Sequence, residues 1–388
     1  MRPSARKFDA PERIAYVNAL FIIGTVGTLI TPAMLEAWSQ RFHWSQAHLG
    51  FVAAIELATL ALGSLSGLYW QRRWDWAAVA LLALILGVVG NVACIFFTDF
   101  YTVCLARAAA GTAGGLLCAI YSAFLANTHS PGRNIAITTF VQIGVEAAFM
   151  FSTASVLAAM GWMGLFVLMA VLFSGLIPLI GLLPRRWPEN VTSTSESTGS
   201  GEVRAYPILL SFLPFIVFQT GVFTFLADFG RLAARLDLAQ TLHALGVSVV
   251  VSALGSVGAY FLDDRVGFRV PIGATIFILI AMMFAMIVGS SSAALFVLYI
   301  SILQAGWIFL NCYLYSALIA ADKLLVAAAT PISAFGSAIG AASMGYVLEH
   351  GGLVGALWLS VGCLAFTAVL SLPFIARQRA VSGASRTP

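Results

Sequence analysis

Residues 77–97 read AAVALLALILGVVGNVACIFF, an apolar stretch of 21 residues without a charged side chain. A helix of this length rises about 30 Å, which matches the hydrocarbon thickness of a bilayer. Lipid offers no partner to backbone polar groups, and the stretch is too long and uniformly apolar for a barrel strand, so it predicts a spanning helix. Counting outward from it gives twelve predicted spans: 14–36, 47–70, 77–97, 102–126, 135–159, 161–184, 206–227, 238–262, 270–289, 292–320, 324–348 and 353–376.

The composition of the whole chain supports the same interpretation. Of its 388 residues, 60% are hydrophobic and only 9% are charged, against roughly 25% charged in a soluble globular protein. A water-soluble enzyme and a disordered scaffold are both excluded, because neither could carry so little charge. The sequence shows no Walker loop, no metal-ligand cluster and no nucleophile–base constellation. No enzyme activity, cofactor or metal is therefore predicted.

The charged residues predict the orientation and the division of the chain. With the N-terminus in the cytoplasm, sixteen basic residues fall inside, three fall outside and one lies within a span, as the positive-inside rule requires. We therefore expect a multi-pass protein of the inner membrane with both termini cytoplasmic; the net charge of +4 bears on this orientation and not on nucleic acid. The polar segment 185–205 is rich in Ser, Thr and Gly and predicts a cytoplasmic linker. It would join an N-terminal six-helix bundle (1–184) to a C-terminal one (206–376), which a cytoplasmic tail (377–388) follows.

Two loops repeat half a chain apart. The loop after the second span contains GLYWQRRWD (67–75), and the loop after the eighth contains YFLDDRVGFR (260–269), an offset of about 193 residues. Twelve spans with such loops resemble the major facilitator superfamily of secondary transporters. The second copy matches well, although Tyr260 replaces a glycine; the first is degenerate, with Gln71 and Trp74 at two motif positions. The residues that carry the resemblance are Gly67, Arg72, Asp264, Arg265, Gly267 and Arg269.

The resemblance implies an all-α membrane protein of two pseudo-symmetric six-helix bundles, working as a monomer in the lipid bilayer. It also implies a substrate site near the midplane between bundles that rock against each other. The loops would act as gating latches between helix ends; the alternative is that they are only cytoplasmic anchors. In this superfamily the first, fourth, seventh and tenth helices line the central cavity.

Three charged residues lie away from the ends of the predicted spans of the first half: Glu56, Arg107 and Glu146. An ionisable residue inside a membrane is costly and marks a functional site by default. Arg107 opens the sequence RAAAGTAGG, which resembles the superfamily's fourth-helix motif, linked there with proton coupling. Glu146 is the first candidate for a proton carrier, because Arg107 is expected within its reach and Gln142 lies one turn away. Glu56 is the second candidate. Two alternatives stay open: a permanent Arg–Glu structural pair, and an Arg107 that snorkels outward.

The second half offers polar and aromatic groups instead of charges. On the tenth span, one helical face carries Gln304, Trp307, Asn311 and Tyr315. With Gln219 on the seventh span, this face predicts a substrate wall, and a helix-packing stripe is the alternative. Arg107 and Gln142 of the first half complete the predicted set of substrate-binding residues.

The sequence therefore favours a secondary transporter of a small organic solute, coupled to protons. The cationic Arg107 suits an organic anion, and the aromatic residues suit an apolar body. An efflux antiporter is the first alternative, although the fifth span lacks the Gly-Pro motif typical of drug antiporters. A non-transporting receptor or a lipid transporter on the same scaffold is a more distant one.

Overall fold

The computed structural model describes residues 9–125, 127–128, 131–184, 202–289, 292–322 and 325–384. Within these ranges the regular structure is helical, and the element bounds lie close to the predicted spans. The helices are α1 Pro11–Leu29, α2 Thr31–Phe42, α3 Gln46–Trp70, α4 Trp76–Phe96, α5 Phe100–Leu125, α6 Pro131–Met160, α7 Met163–Leu176, α8 Glu202–Thr224, α9 Leu226–Ala234, α10 Leu238–Val266, α11 Arg269–Gly289, α12 Ala293–Ala321 and α13 Val326–Ala384; a 3-10 helix, Ile177–Leu182, extends α7.

The described helices account for twelve spans. Ten helices are long and apolar enough to cross a membrane, and the bent pair α1–α2 adds an eleventh. The apolar part of α13, Ala328–Ile375, has 48 residues, more than twice the length that one crossing needs. Gly352, with φ 57° and ψ −156°, breaks α13 between the two spans predicted there. The predicted twelve-span fold is confirmed.

The chain divides into two compact units. Unit 1 comprises Met1–Trp44 and Phe51–Thr194, and unit 2 comprises Ser45–Gly50 and Ser195–Pro388. In unit 1, α5 packs against α1 and α4, and α4 also packs against α7. In unit 2, α8 packs against α13, and α12 packs against α10 and α11. Most of the predicted linker, 185–201, lies outside the described residues, so its role stays a prediction.

Each unit contains a broken first span, which the sequence did not predict. In unit 1 the helix breaks at Ile30 (φ −101°, ψ 7°), and α2 leaves α1 at 41°. In unit 2 the break falls at Phe225 (φ −106°, ψ 20°), between α8 and α9. Both short helices end in a left-handed residue, His43 with φ 53° and Arg235 with φ 54°. Non-glycine residues rarely adopt this conformation, so its recurrence marks an internal structural repeat.

Candidate functional site: a buried charge cluster and a polar helix face

A charge cluster lies in the interior of unit 1, where three helices each contribute one polar side chain. Arg107 of α5 is only 1% exposed. Its Nε donates to Glu56 Oε2 of α3 at 3.0 Å, and its Nη2 pairs with Glu56 Oε1. Its Nη1 donates to Asn91 Oδ1 of α4 at 3.1 Å. A two-point guanidinium–carboxylate pair fixes both the distance and the orientation of its partners.

Glycines allow the helix backbones to approach the cluster closely. Gly111 lies one turn after Arg107 on the same face of α5, and a Cβ there would overlap the backbone oxygen of Glu56. Gly27 of α1 covers the cluster from another side; a Cβ there would overlap the Glu56 carboxylate and lie 2.8 Å from Arg107 Nη2. Small residues permit this contact between helices. The helices α1, α3 and α5 therefore pack closely around the ion pair.

The cluster differs from the sequence-based expectation in its carboxylate. Glu56, the second choice, is the partner of Arg107. Among the hydrogen bonds and ion pairs of the described residues, none involves Glu146 on α6. The snorkelling alternative for Arg107 does not hold in this structure, because the whole side chain is buried. Gln142 is partly exposed on α6, on the same face as Glu146.

Sequence reasoning missed two members of this site. The only sequence signal for Asn91 is that it is a polar residue inside an apolar span. It is 1% exposed, and its Nδ2 also donates to the Gly87 oxygen at 2.8 Å. Gly27 gave no signal, because only the fold brings α1 over the ion pair.

Unit 2 has a neutral counterpart of this cluster. Gln304 of α12 is 3% exposed, and its Nε2 donates to Ser248 Oγ of α10 at 2.7 Å. Its amide nitrogen is thus used in a contact between helices. Gln304 therefore follows the helix-packing alternative in this structure, whereas Asn311 and Tyr315 are only partly buried.

The remaining predicted residues of unit 2 lie where α8 faces α12. The Trp307 ring stands 6.3 Å from that of Phe223, and the Tyr315 ring stands 4.7 Å from that of Phe212. Gln219 and Asn311 each have a buried amide oxygen without a hydrogen-bond partner. Buried polar atoms in folded proteins are nearly always paired, so these two oxygens are candidates for ligand contacts.

The first loop is tied to α5 by a neutral contact. Gln71 Nε2 donates to the Ala119 oxygen at 2.9 Å, and a Cβ at Gly67 would crowd both residues. Arg72 is exposed. The loop therefore ties α3 to α5 with an amide where the motif has an acid.

The second loop is described only in part. The side chains of Asp264 and Arg265 lie outside the described residues, so the predicted latch stays a prediction. Gly267 has φ 59° and ψ −177°, a conformation that strongly favours glycine. Arg269 starts α11 and is exposed.

Comparison with known proteins agrees with this architecture. The profile of the Major Facilitator Superfamily matches residues 17–324, so the chain belongs to this superfamily, as the sequence motifs predicted. No curated protein matches the chain. It is a multi-pass membrane protein of a family of transporters, not of enzymes.

Solved structures share the fold at low sequence identity. A bacterial homologue of the human lysosomal transporter Spinster superposes with a TM-score of 0.71 at 14% identity, covering 96% of this chain and 98% of that one. A D-xylose–proton symporter gives 0.72 at 13%, covering 92% and 96%. The nucleoside transporter NupG gives 0.71 at 15%, covering 94% and 99%. Identities this low establish the fold alone.

Proposed function

We propose that this protein is a proton-coupled secondary transporter that moves a small organic solute across the inner membrane by alternating access, with both termini in the cytoplasm. The observation that carries the proposal is the buried Arg107–Glu56–Asn91 cluster together with a second embedded carboxyl group, Glu146. A charge buried without a partner is expensive. One guanidinium can neutralise one carboxylate, so the second carboxyl group is neutral only when it holds a proton.

The two carboxyl groups have different roles in this proposal. Glu56 is held at two points by Arg107 and orders the contact between α3 and α5. Glu146, which has no described partner, exchanges the proton during the transport cycle. A carrier needs a carboxyl group whose protonation changes with conformation, and a group without a permanent counter-ion meets that need better than a locked one.

The geometry gives less support to an anionic substrate than the sequence did. The Arg107 guanidinium already donates to Glu56 and Asn91, and it is almost fully buried. An anion could reach it only by displacing Glu56. The proposal therefore places Arg107 in the pair with Glu56, which leaves Glu146 as the proton carrier, and not in substrate binding.

The test uses the purified protein in sealed vesicles. The probe is the radiolabelled compound that most stabilises the protein in a thermal-shift screen of metabolites and drugs. Wild-type vesicles should accumulate it when a pH gradient is imposed, and Glu146→Gln should abolish this accumulation while keeping exchange of internal for external substrate. Glu56→Gln should instead reduce both activities, because it loosens the Arg107 contact. Unchanged accumulation in both variants would exclude carboxylate coupling.

Protease protection in oriented vesicles tests the topology separately. A tag on either terminus should be cleaved only from the cytoplasmic side. Cleavage of both tags from the opposite side would show that the orientation is the reverse of the proposed one, but it would leave the transport proposal intact.

A further inference from the structure

We infer that the face between α8 and α12 in unit 2 binds an uncharged solute that combines a ring with an apolar face and hydroxyl or amide groups. This inference rests on the proposed transport function and defines the substrate class of its binding site. It departs from the organic anion that the sequence favoured.

The first argument is that two unpaired amide oxygens, on Gln219 and Asn311, lie at the same height along the two helices. The contacts Phe223–Trp307 and Phe212–Tyr315 show that α8 and α12 run antiparallel along this face. Gln219 precedes the first aromatic contact by four residues on α8. Asn311 follows it by four residues on α12.

Four residues correspond to about 6 Å along a helix. Gln219 and Asn311 therefore lie at the same level, one turn from one aromatic contact. The Phe212–Tyr315 contact closes the other end of this stretch, and all six side chains belong to facing stripes of their two helices.

The second argument is the chemistry of the unpaired groups. The buried oxygens Gln219 Oε1 and Asn311 Oδ1 lack partners, whereas the amide of Gln304, on the same helix as Asn311, is bonded to Ser248. An unsatisfied buried acceptor costs about 1–3 kcal/mol. Ligand hydroxyl or amide groups that donate one hydrogen bond to each oxygen remove this cost, and the NH2 groups of Gln219 and Asn311 can donate in return.

The third argument is charge. The α8 stretch 205–224 and the whole of α12, 293–321, contain no Asp, Glu, Lys or Arg. An ionised ligand held between these helices would find no counter-ion on either of them, and a buried unpaired charge costs far more than a hydrogen bond returns. The aromatic rings of Trp307 and Tyr315 instead offer contact area to an apolar ring.

Sugars and nucleosides are the simplest solutes with this chemistry, and both can be tested as charge-matched sets. One set is glucose, glucuronate and glucosamine. The other is uridine, uridine 5′-monophosphate and 5′-amino-5′-deoxyuridine. Each set keeps the ring and all but one of its free hydroxyl groups, while the group at that one position changes the charge from zero to negative or positive.

The experiment measures the Kd of each compound for the full-length protein in detergent, by thermal shift and by equilibrium dialysis. The neutral member of at least one set should bind, and its charged members should bind at least tenfold more weakly. Asn311→Leu and Gln219→Met should each weaken the neutral ligand about tenfold or more. Gln304→Met is the matched control: it removes an amide from the same helix and should leave the Kd within about twofold, because that amide bonds Ser248.

Several results would overturn the inference. Equal or tighter binding of a charged member would contradict the neutral class, and wild-type affinity in Asn311→Leu and Gln219→Met would contradict the location. Failure of both neutral compounds to bind would contradict the inference that the solute carries a hydroxylated ring. The assay needs neither a membrane nor a gradient, so binding without pH-driven accumulation would refute the proposed coupling and leave this site intact.

Discussion

The two units repeat the same backbone but fill it with different polar chemistry. The break at Ile30 in unit 1 recurs at Phe225 in unit 2, and the left-handed His43 recurs at Arg235. These pairs are separated by 195 and 192 residues, close to the offset of the loop motifs. The repeat therefore extends to local backbone geometry that the sequence does not display as identity.

The polar contacts at corresponding helix pairs differ in kind. Unit 1 joins its second and fourth spans with the charged pair Glu56–Arg107, and unit 2 joins its second and fourth spans with the neutral pair Ser248–Gln304. Unit 1 carries carboxyl groups that can take up a proton inside its spans, whereas the amide and the hydroxyl group of the unit 2 pair cannot do so at ordinary pH. This difference fits the proposed division, in which unit 1 carries proton coupling and unit 2 recognises a neutral ligand.

The largest expected effect is on stability. Arg107→Met leaves the Glu56 carboxylate buried without a partner and should cost about 3–5 kcal/mol of unfolding free energy. Gln304→Met in unit 2 should cost only about 1 kcal/mol, since it removes one neutral hydrogen bond. Steric trapping in bicelles measures both values on the full chain.

A double variant controls for this comparison. Arg107→Met with Glu56→Leu removes both charges and should recover much of the loss, because no unpaired carboxylate remains. Similar losses in the Arg107 and Gln304 single variants would show that the units do not differ in the way described.

A smaller effect is expected where α1 covers the charge cluster. Gly27→Ala places a methyl group against Glu56 and Arg107 and should cost about 1–3 kcal/mol, because the ion pair must shift to make room. Gly362→Ala on α13 is the matched control: nothing lies within 4 Å of its Cβ position, so a gain of up to about 1 kcal/mol is expected. Thermal unfolding in detergent ranks the stabilities of the two variants. Equal melting temperatures would argue against close packing of α1 on the ion pair.

The smallest effect concerns the helix caps Asp99 and Ser292, 193 residues apart. Asp99 Oδ1 accepts from the Thr102 backbone N–H at 2.9 Å, and Ser292 Oγ accepts from the Leu295 backbone N–H at 3.3 Å. The hydrogen bonds from the Thr102 side chain and backbone lower the pKa of Asp99. Since the folded pKa is depressed, this cap contributes stability above the unfolded value of about 3.9 and loses it as pH falls through the folded pKa.

The matching variant is Asp99→Ser, which gives unit 1 the cap of unit 2. Its melting temperature should fall less between pH 5 and pH 3 than that of the wild type. An identical acid response in both proteins would mean that this cap does not contribute.

The sequence predicted the spans well because composition alone determines them. The predicted span 47–70 is α3, Gln46–Trp70, within one residue, and 77–97 is displaced by one residue from α4. The break at Ile30 was missed because apolar composition continues through it, although Pro32 lies two residues further on. Length and hydropathy report where a helix crosses the membrane but not where it bends.

The site was harder to predict because it depends on which helix faces meet. Glu56 and Glu146 lie at similar depth, and either could have reached Arg107 by that criterion. The glycine pattern could have decided between them: Gly111 shares the Arg107 face and packs on the backbone of Glu56. Asn91 was visible as a polar residue in an apolar span, whereas the contact of Gly27 required the fold.

The most direct test of the division between the units compares one variant from each in the same vesicles. With the best-binding neutral compound as substrate, Glu146→Gln in unit 1 should keep exchange and lose pH-driven accumulation. Asn311→Leu in unit 2 should lose both in proportion at low substrate concentration and regain both as the concentration rises. The opposite pattern, in which Glu146→Gln weakens substrate binding while Asn311→Leu loses only its response to the gradient, would contradict the account.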